Sequence, residues 1–447
     1  MGTAATTKGV PTLRRELGLR DLTLFAVMCI TSTRWVPIAA HAGPSSIVLW
    51  LLAAVLFAAP LTVAVAALAA KYPGVGGLYL WTRQDFGAWH ALLGFWSYWL
   101  GIAFLFPTAA LLYARVGFSA LGPLYAPMGE SRFYLLAATL ALIWIGLGSN
   151  LIGLKVGKWT ENFGALATWA VGLLLVAVAW MTWMRRGTAT PIGILPQWSW
   201  RTVSFSAAIA FALSGMEGVG MMAGEIRDPE RTIRRAGWIA TAFAAAFYVL
   251  STAALLVVLP SAKISELNGF AETADAAGLV LGVTWMAPLI GLLALTSGLG
   301  LLGGIGTATS RMPFAAGVDR LLPEAFARVH PRWGTPHVSM LALGLVASFL
   351  LVVYQLGDTM RAAYDELVSL MLLTGFLPFV YIFGSAWKAG KRLSAVSGGA
   401  ITLLAMLCSM VPPDEISNVW LFEAKLAAGS LAVVLSAWII YHRSKPS

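Results

Sequence analysis

The sequence predicts an all-α membrane protein of twelve transmembrane helices, and three observations carry that reading. Of its 447 residues, 59% are hydrophobic and only 11% charged, with a mean hydropathy of +0.78. Soluble domains sit near roughly 45–50% apolar and about 25% charged. The apolar residues gather in runs of about 20, enough to cross ~30 Å of hydrocarbon. The segments between the runs are short, which leaves no room for a separate soluble domain.

In chain order the runs fall near 21–40, 46–69, 90–118, 133–150, 162–184, 203–226, 236–260, 279–310, 338–356, 364–386, 394–411 and 420–441. Residues 1–20 contain Arg14-Arg15-Glu16 and no apolar core ahead of a small-residue cleavage site, so they read as a cytoplasmic N-terminal segment and not as a cleaved signal peptide. If that segment is cytoplasmic, 21 of the 30 Lys and Arg fall on the inner side and 8 on the outer, with Arg34 inside a span. Short basic loops face the cytoplasm, so both termini are expected inside a multi-pass protein of the inner (cytoplasmic) membrane. Arg185, Arg186 and Arg201 are the exception, around the loop 184–202. The net charge of +10 is thereby explained by topology, and no nucleic-acid partner is expected. Cys29 and Cys408 both fall inside runs, where buried thiols are the default.

Two runs are broken near their middles. The first reads Met28-Cys29-Ile30-Thr31-Ser32-Thr33-Arg34-Trp35-Val36-Pro37, and the sixth is interrupted by Ser214-Gly215-Met216-Glu217-Gly218. A helix that only crosses lipid does not place charge and loosened backbone at mid-depth, so each break is expected to face a cavity, and a mid-membrane cavity points to transport. Breaks five spans apart predict a 5+5 inverted repeat. Residues 21–184 then form the first repeat and 203–386 the second, a ten-helix core over 21–386, with 387–447 supplying two peripheral helices and a short tail. In the eighth run, Gly300 and Gly304 stand four residues apart, a spacing expected to let it pack closely against span 1. The segment from Arg311 to Pro336 reads as a structured cytoplasmic loop with a short amphipathic helix.

Three motifs in order resemble the amino acid-polyamine-organocation superfamily. They are Lys71-Tyr72-Pro73-x-x-Gly76-Gly77-x-Tyr79-x-Trp81; Phe211-x-x-x-Gly215-x-Glu217 followed by Gly224-Glu225-x-x-Asp228-Pro229-x-Arg231-Thr232; and Asp319-Arg320-Leu321-Leu322-Pro323 leading to Gly334-Thr335-Pro336. The resemblance implies the leucine-transporter-type fold and secondary transport of amino acids or related amines. Where the family carries a Gly-Ser-Gly-type break in span 1, this chain has Thr31-Ser32-Thr33. Its Ser32-x-Arg34-x-x-Pro37 is more similar to the glutamate/4-aminobutyrate antiporter branch.

A broken helix offers free N–H groups and a positive dipole end, which suit the carboxylate of an amino acid. Thr31, Ser32 and Thr33 are the expected donors, and the carbonyls of Phe211, Ala212 and Ser214, beside Gly215, are expected to face the ammonium. The alternative for Thr31 and Thr33 is a bond back to their own helix. Arg34 costs at least ~2.5–3.5 kcal/mol at mid-depth unless paired or hydrated. It is read as pairing with Glu217 in the facing break, as contacting an acidic substrate, or as snorkelling outward near His41. Glu217 is read as a brace for the break or as a coupling carboxyl. Trp35 and Phe211 are candidates for rings covering the substrate, and Tyr98 and Pro107 for the pathway wall.

Thr296 and Ser297 are placed to complete a sodium site with span-1 carbonyls. The family's proton-coupled members instead use a cationic side chain in span 5, and Phe163 to Trp180 holds no Lys or Arg, so exchange, H+ and Na+ coupling stay open. Glu225, Asp228, Arg231 and Arg235 are expected at an inner gate. No cofactor or metal is expected: His90, His330 and His337 show no cluster spacing. Neither a G-x4-G-K-[ST] loop nor a nucleophile elbow occurs, so an enzyme is not expected. The expected partners are a small amino acid and the bilayer, with the oligomeric state left open. A polyamine or organic-cation carrier, or a non-transporting amino acid sensor of the same fold, stands as the alternative.

Overall fold

The structure, a computed structural model, describes residues 17–121, 125–191, 200–226, 228–265, 269–355, 360–411 and 419–444. Most of the N-terminal segment, residues 192–199 of the loop 184–202, and Arg227 lie outside them. The first repeat region holds α1 (Leu19–Ile30), α2 (Trp35–His41), α3 (Ser45–Ala53), α4 (Ala59–Lys71), α5 (Leu78–Phe86), α6 (Ala88–Ala120), α7 (Arg132–Leu151) and α8 (Leu154–Arg186). The second holds α9 (Trp200–Ala212), α10 (Met216–Met221), α11 (Pro229–Val258), α12 (Gly269–Leu281), α13 (Met286–Thr309), α14 (Arg311–Val318), α15 (His337–Gln355) and α16 (Met360–Lys388). Two further helices follow, α17 (Arg392–Cys408) and α18 (Val419–Arg443).

Among the described residues, nine helical segments are long and apolar enough to cross a bilayer. The expected sixth, ninth and eleventh runs appear as the shorter apolar helices Phe205–Met221, His337–Val353 and Arg392–Cys408. An isolated bridge, Leu17 to Ile226, is the only β pairing among the described residues. Between α3 and α4, residues Ala54–Ala58 form a π-helical turn just before Pro60, which has no N–H to give the preceding turn. α18 buries only Phe422, Leu426, Val433 and Ala437, a single stripe that lies on α6 and α16, while Trp420 is 88% exposed.

Gly300 and Gly304 of α13 meet α1 at Met28 and Phe25, as expected, but Gly300 meets α8 more closely: a Cβ on it would lie 2.8 Å from the Cα of Gly164. Side-chain-free backbones at Gly164 and Gly300 let the two helices touch directly. The expected amphipathic surface helix is corrected: α14 is buried at Arg311, Met312, Pro313, Phe314, Ala316 and Gly317.

The first motif, the Gly224-Glu225 part of the second and the third meet at one end of the bundle, while Phe211, Gly215 and Glu217 of the second lie at the sixth-span break. Gly77, at φ +40°, lets the chain after α4 touch the end of α10, where its Cβ would stand 2.7 Å from the Met221 amide. Gly76 N–H donates to the Met221 carbonyl at 3.2 Å. Gly220 faces the Trp81 ring and Gly224 faces Val75, both too closely for a larger residue. Tyr79 donates to Asp319 at 2.7 Å and Arg83 pairs with the same carboxylate at 3.0 Å. Burial, then the Asp319 bond, holds the Tyr79 phenol well above its usual pKa, so it remains a neutral donor. These segments form a clamp and do not line the central cavity.

Candidate functional site

α1 ends at Ile30 because Thr31 turns to extended backbone (φ −102°, ψ 125°) while both its N–H and its hydroxyl bond to the Val27 carbonyl, at 2.8 and 2.5 Å. A short hydroxyl side chain that satisfies the last turn in this way competes with helix continuation. Thr31 to Arg34 form the break, and α2 restarts at Trp35. The sixth span breaks at Leu213 to Gly215, slightly earlier than the sequence suggested, and Glu217 lies in the first turn of α10. Gly215 has φ +116°, and a Cβ there would collide with the Cys29 carbonyl. Only glycine allows the two breaks to approach this closely.

Two tyrosine hydroxyls join the breaks. Tyr248, from α11, accepts from the Ser32 amide at 2.9 Å and lies 3.0 Å from the Ile30 carbonyl and 3.1 Å from that of Ala212. Tyr113, from α6, shares a hydrogen bond with the Ser32 hydroxyl at 3.2 Å and accepts from the Thr33 hydroxyl at 3.1 Å. The sequence reading missed both. Their signal was a tyrosine in mid-span, since a buried phenol needs a polar partner.

The expected Arg34–Glu217 ion pair is not formed. Glu217, 1% exposed, accepts from Tyr98 at 2.8 Å and receives the Gly215 amide on both oxygens, at 3.0 and 2.8 Å. The carboxylate thereby caps the N-terminus of its own short helix, where free amides and the dipole favour negative charge. Arg34, fully buried, donates to Thr108 of α6 at 3.0 Å and lies 4.4 Å over the Trp35 ring. Snorkelling toward His41 is excluded by that burial.

Between the breaks lies a cavity of about 30 Å³, lined by Ser32, Arg34, Trp35, Tyr98, Phe211, Ala212, Ser214, Gly215 and Glu217 and closed by Leu301, Ile305 and Thr309 of α13. That is space for about one water, so the cavity in this conformation is closed to anything larger. Phe211 contacts Trp35 and Phe376 edge to face, at 6.1 and 5.4 Å.

Of the residues singled out in the sequence, Thr31 and Thr33 contact neighbours and not the cavity, and the Phe211 carbonyl is taken by the Ser214 amide at 2.9 Å. Thr296 bonds back to Leu292 at 2.9 Å, and Ser297 bonds to Thr168 of α8 at 2.6 Å, so neither reaches the cavity. They sit about one to two and a half turns away along α13 from the lining residues Leu301 and Ile305. Pro107 is absent from the lining, whereas Tyr98 belongs to it. Of the residues expected at the inner gate, Glu225 is buried against Arg311, Asp228 has left-handed backbone (φ 94°) ahead of α11, and Arg231 and Arg235 are exposed.

The family model described as amino acid permease matches residues 17–440. An uncharacterized transporter of Legionella pneumophila is 26% identical, over 95% of this chain and 96% of its own. The branched-chain amino acid permease BcaP of Bacillus subtilis is 26% identical over 77% and 76%. A Lactococcus lactis relative bearing the name agmatine/putrescine antiporter AguD is 24% identical over 84% and 81%. Among solved structures, MhsT in complex with L-phenylalanine shares the fold, with a TM-score of 0.62 at 14% identity, over 96% of this chain and 99% of that one.

Proposed function

The chain belongs to the amino acid permease family and is an amino acid transporter, and we propose that it is a secondary active one, working by alternating access around the cavity between its two helix breaks. The observation that carries this is the wall charge: Arg34 and Glu217 line one buried cavity without being paired to each other. A zwitterion answers both, its carboxylate on the Arg34–Ser32 side and its ammonium on the Glu217–Ser214 side. Each charge then meets its complement in a desolvated site.

The architecture proposed with it has twelve spans, the sixth, ninth and eleventh being the short ones, with residues 21–184 and 203–386 as inverted repeats. The protein then sits in the cytoplasmic membrane with both termini inside, as the basic-loop bias indicates. The motif-rich end is thereby the cytoplasmic one.

The name of the Lactococcus relative favours a second reading, a polyamine carrier. Arg34 opposes it, because a buried guanidinium repels a substrate that carries only positive charge. Uptake of labelled amino acids and of putrescine into proteoliposomes separates the two. Exchangeable amino acid uptake is expected; uptake of putrescine alone supports the second reading, and binding without flux supports a sensor.

A further inference from the structure

The buried charges at the motif-rich end do not balance. Arg311 gives Nε to Glu225 Oε1 at 2.7 Å and Nη2 to Oε2 at 3.0 Å, and its Nη1 goes to the Thr307 carbonyl and the Ser310 hydroxyl. Two of its five N–H groups thus go to one carboxylate and two more to Thr307 and Ser310. A second carboxylate, Glu161 of α8, is 2% exposed in the same region, and its Oε1 has no hydrogen-bond partner among the described residues. The charged groups acting on it are Arg311, Glu225 and Asp21, the last 3.6 Å from Lys158. Cys29 of α1 lies within electrostatic range, Asn150 of α7 presents its amide, and α13 carries no charged residue. The Asn150 Oδ1 is likewise a buried acceptor with no donor among the described residues.

We infer that Glu161 is the transporter's proton site: it binds one proton as a neutral carboxylic acid when α1 is seated against α8 and α13, and releases it when that seam opens. The bound proton supplies a donor for Glu161 Oε1 or Asn150 Oδ1, neither of which has one among the described residues, and removes the cost of an unpaired buried charge. α1 covers the site through Phe25, beside Gly304 and Glu161, so displacing α1 brings water to the carboxyl. A cleft of about 320 Å³, lined by Lys155, Arg332, Trp333 and Glu225, leads from the surface to the neighbouring pair. The step is simple: a hydrated proton adds to the carboxylate from one side of the membrane and leaves to water on the other, with no other bond changed.

This rests on the transporter reading above, and the test separates the two. Purified full-length protein in liposomes is assayed for amino acid exchange at equal pH and for accumulation driven by an imposed pH step. Wild type is expected to do both, the step supporting up to about tenfold accumulation per pH unit for one proton per substrate. E161Q, which mimics the protonated form, is expected to fold and exchange but to lose gradient-driven accumulation. Full accumulation by E161Q, a wild type that exchanges without responding to pH, or an E161Q that cannot fold overturns the inference. If wild type exchanges no amino acid, it is the substrate reading that fails. Infrared difference spectra of wild type against E161Q then decide on Glu161: a protonated-carboxyl band lost in the variant supports it, and identical spectra overturn it.

Discussion

The clamp at the motif-rich end and the cavity at the helix breaks both bury an arginine and a glutamate, yet they satisfy them in opposite ways. In the clamp, Arg311 and Glu225 neutralise each other through two parallel hydrogen bonds. At the breaks, Arg34 is held by Thr108 and the Trp35 face while Glu217 is held by Tyr98 and a backbone amide. A pair that only has to hold two elements together is best closed on itself. Charges that must meet the two ends of a zwitterion are better kept from closing on each other.

The largest expected effect breaks the clamp. Arg311→Met leaves Glu225 charged and unpaired in the interior, which costs ~3–5 kcal/mol, whereas the double change with Glu225→Leu recovers most of it. Thermal unfolding of the detergent-solubilised variants reads this difference. If the single and double variants melt alike, the clamp's charges do not act as a pair.

Next comes the contact between breaks. Gly215→Ala forces a Cβ into the Cys29 carbonyl at a left-handed φ, and a destabilisation of more than ~2 kcal/mol with at least a tenfold fall in uptake is expected. Tyr248→Phe removes the hydroxyl shared by Ser32, Ile30 and Ala212. Its expected cost is ~1–3 kcal/mol, because buried backbone groups lose their partner, and a melting shift below that range counts against Tyr248 as the tie between breaks. The smallest effect sharpens the contrast from the other side. Arg83→Ala cuts a partly exposed pair with Asp319, and less than ~1 kcal/mol, with uptake unchanged, is expected.

Much of this was legible in the sequence because the bilayer makes the pattern stark. Apolar runs marked the helices, and an Arg, a Glu and hydroxyl residues inside such runs marked the breaks. Long-range partnership was not legible. Nothing local in Tyr113 or Tyr248 says that their hydroxyls close on span 1, roughly 80 and more than 200 residues away. The Arg34–Glu217 pairing was inferred from shared cost alone, and Tyr98 and the Gly215 amide relieve that cost for Glu217 more cheaply. Thr296 and Ser297 had suitable chemistry for an ion, but the register of α13 turns them elsewhere. The motifs at Gly76-Gly77 and Gly224-Glu225 identified the family without showing that they serve the clamp.

The central claim is that the cavity recognises both ends of an amino acid. It is tested most directly by competition for uptake in proteoliposomes, using a transported amino acid, its carboxyl-amidated analogue and its deaminated acid. The intact zwitterion is expected to compete, and each one-sided analogue to be at least about tenfold weaker, since it then meets only one of the two wall charges. An amidated analogue that competes as well as the amino acid itself would contradict the account, because Arg34 would then have no carboxylate to hold.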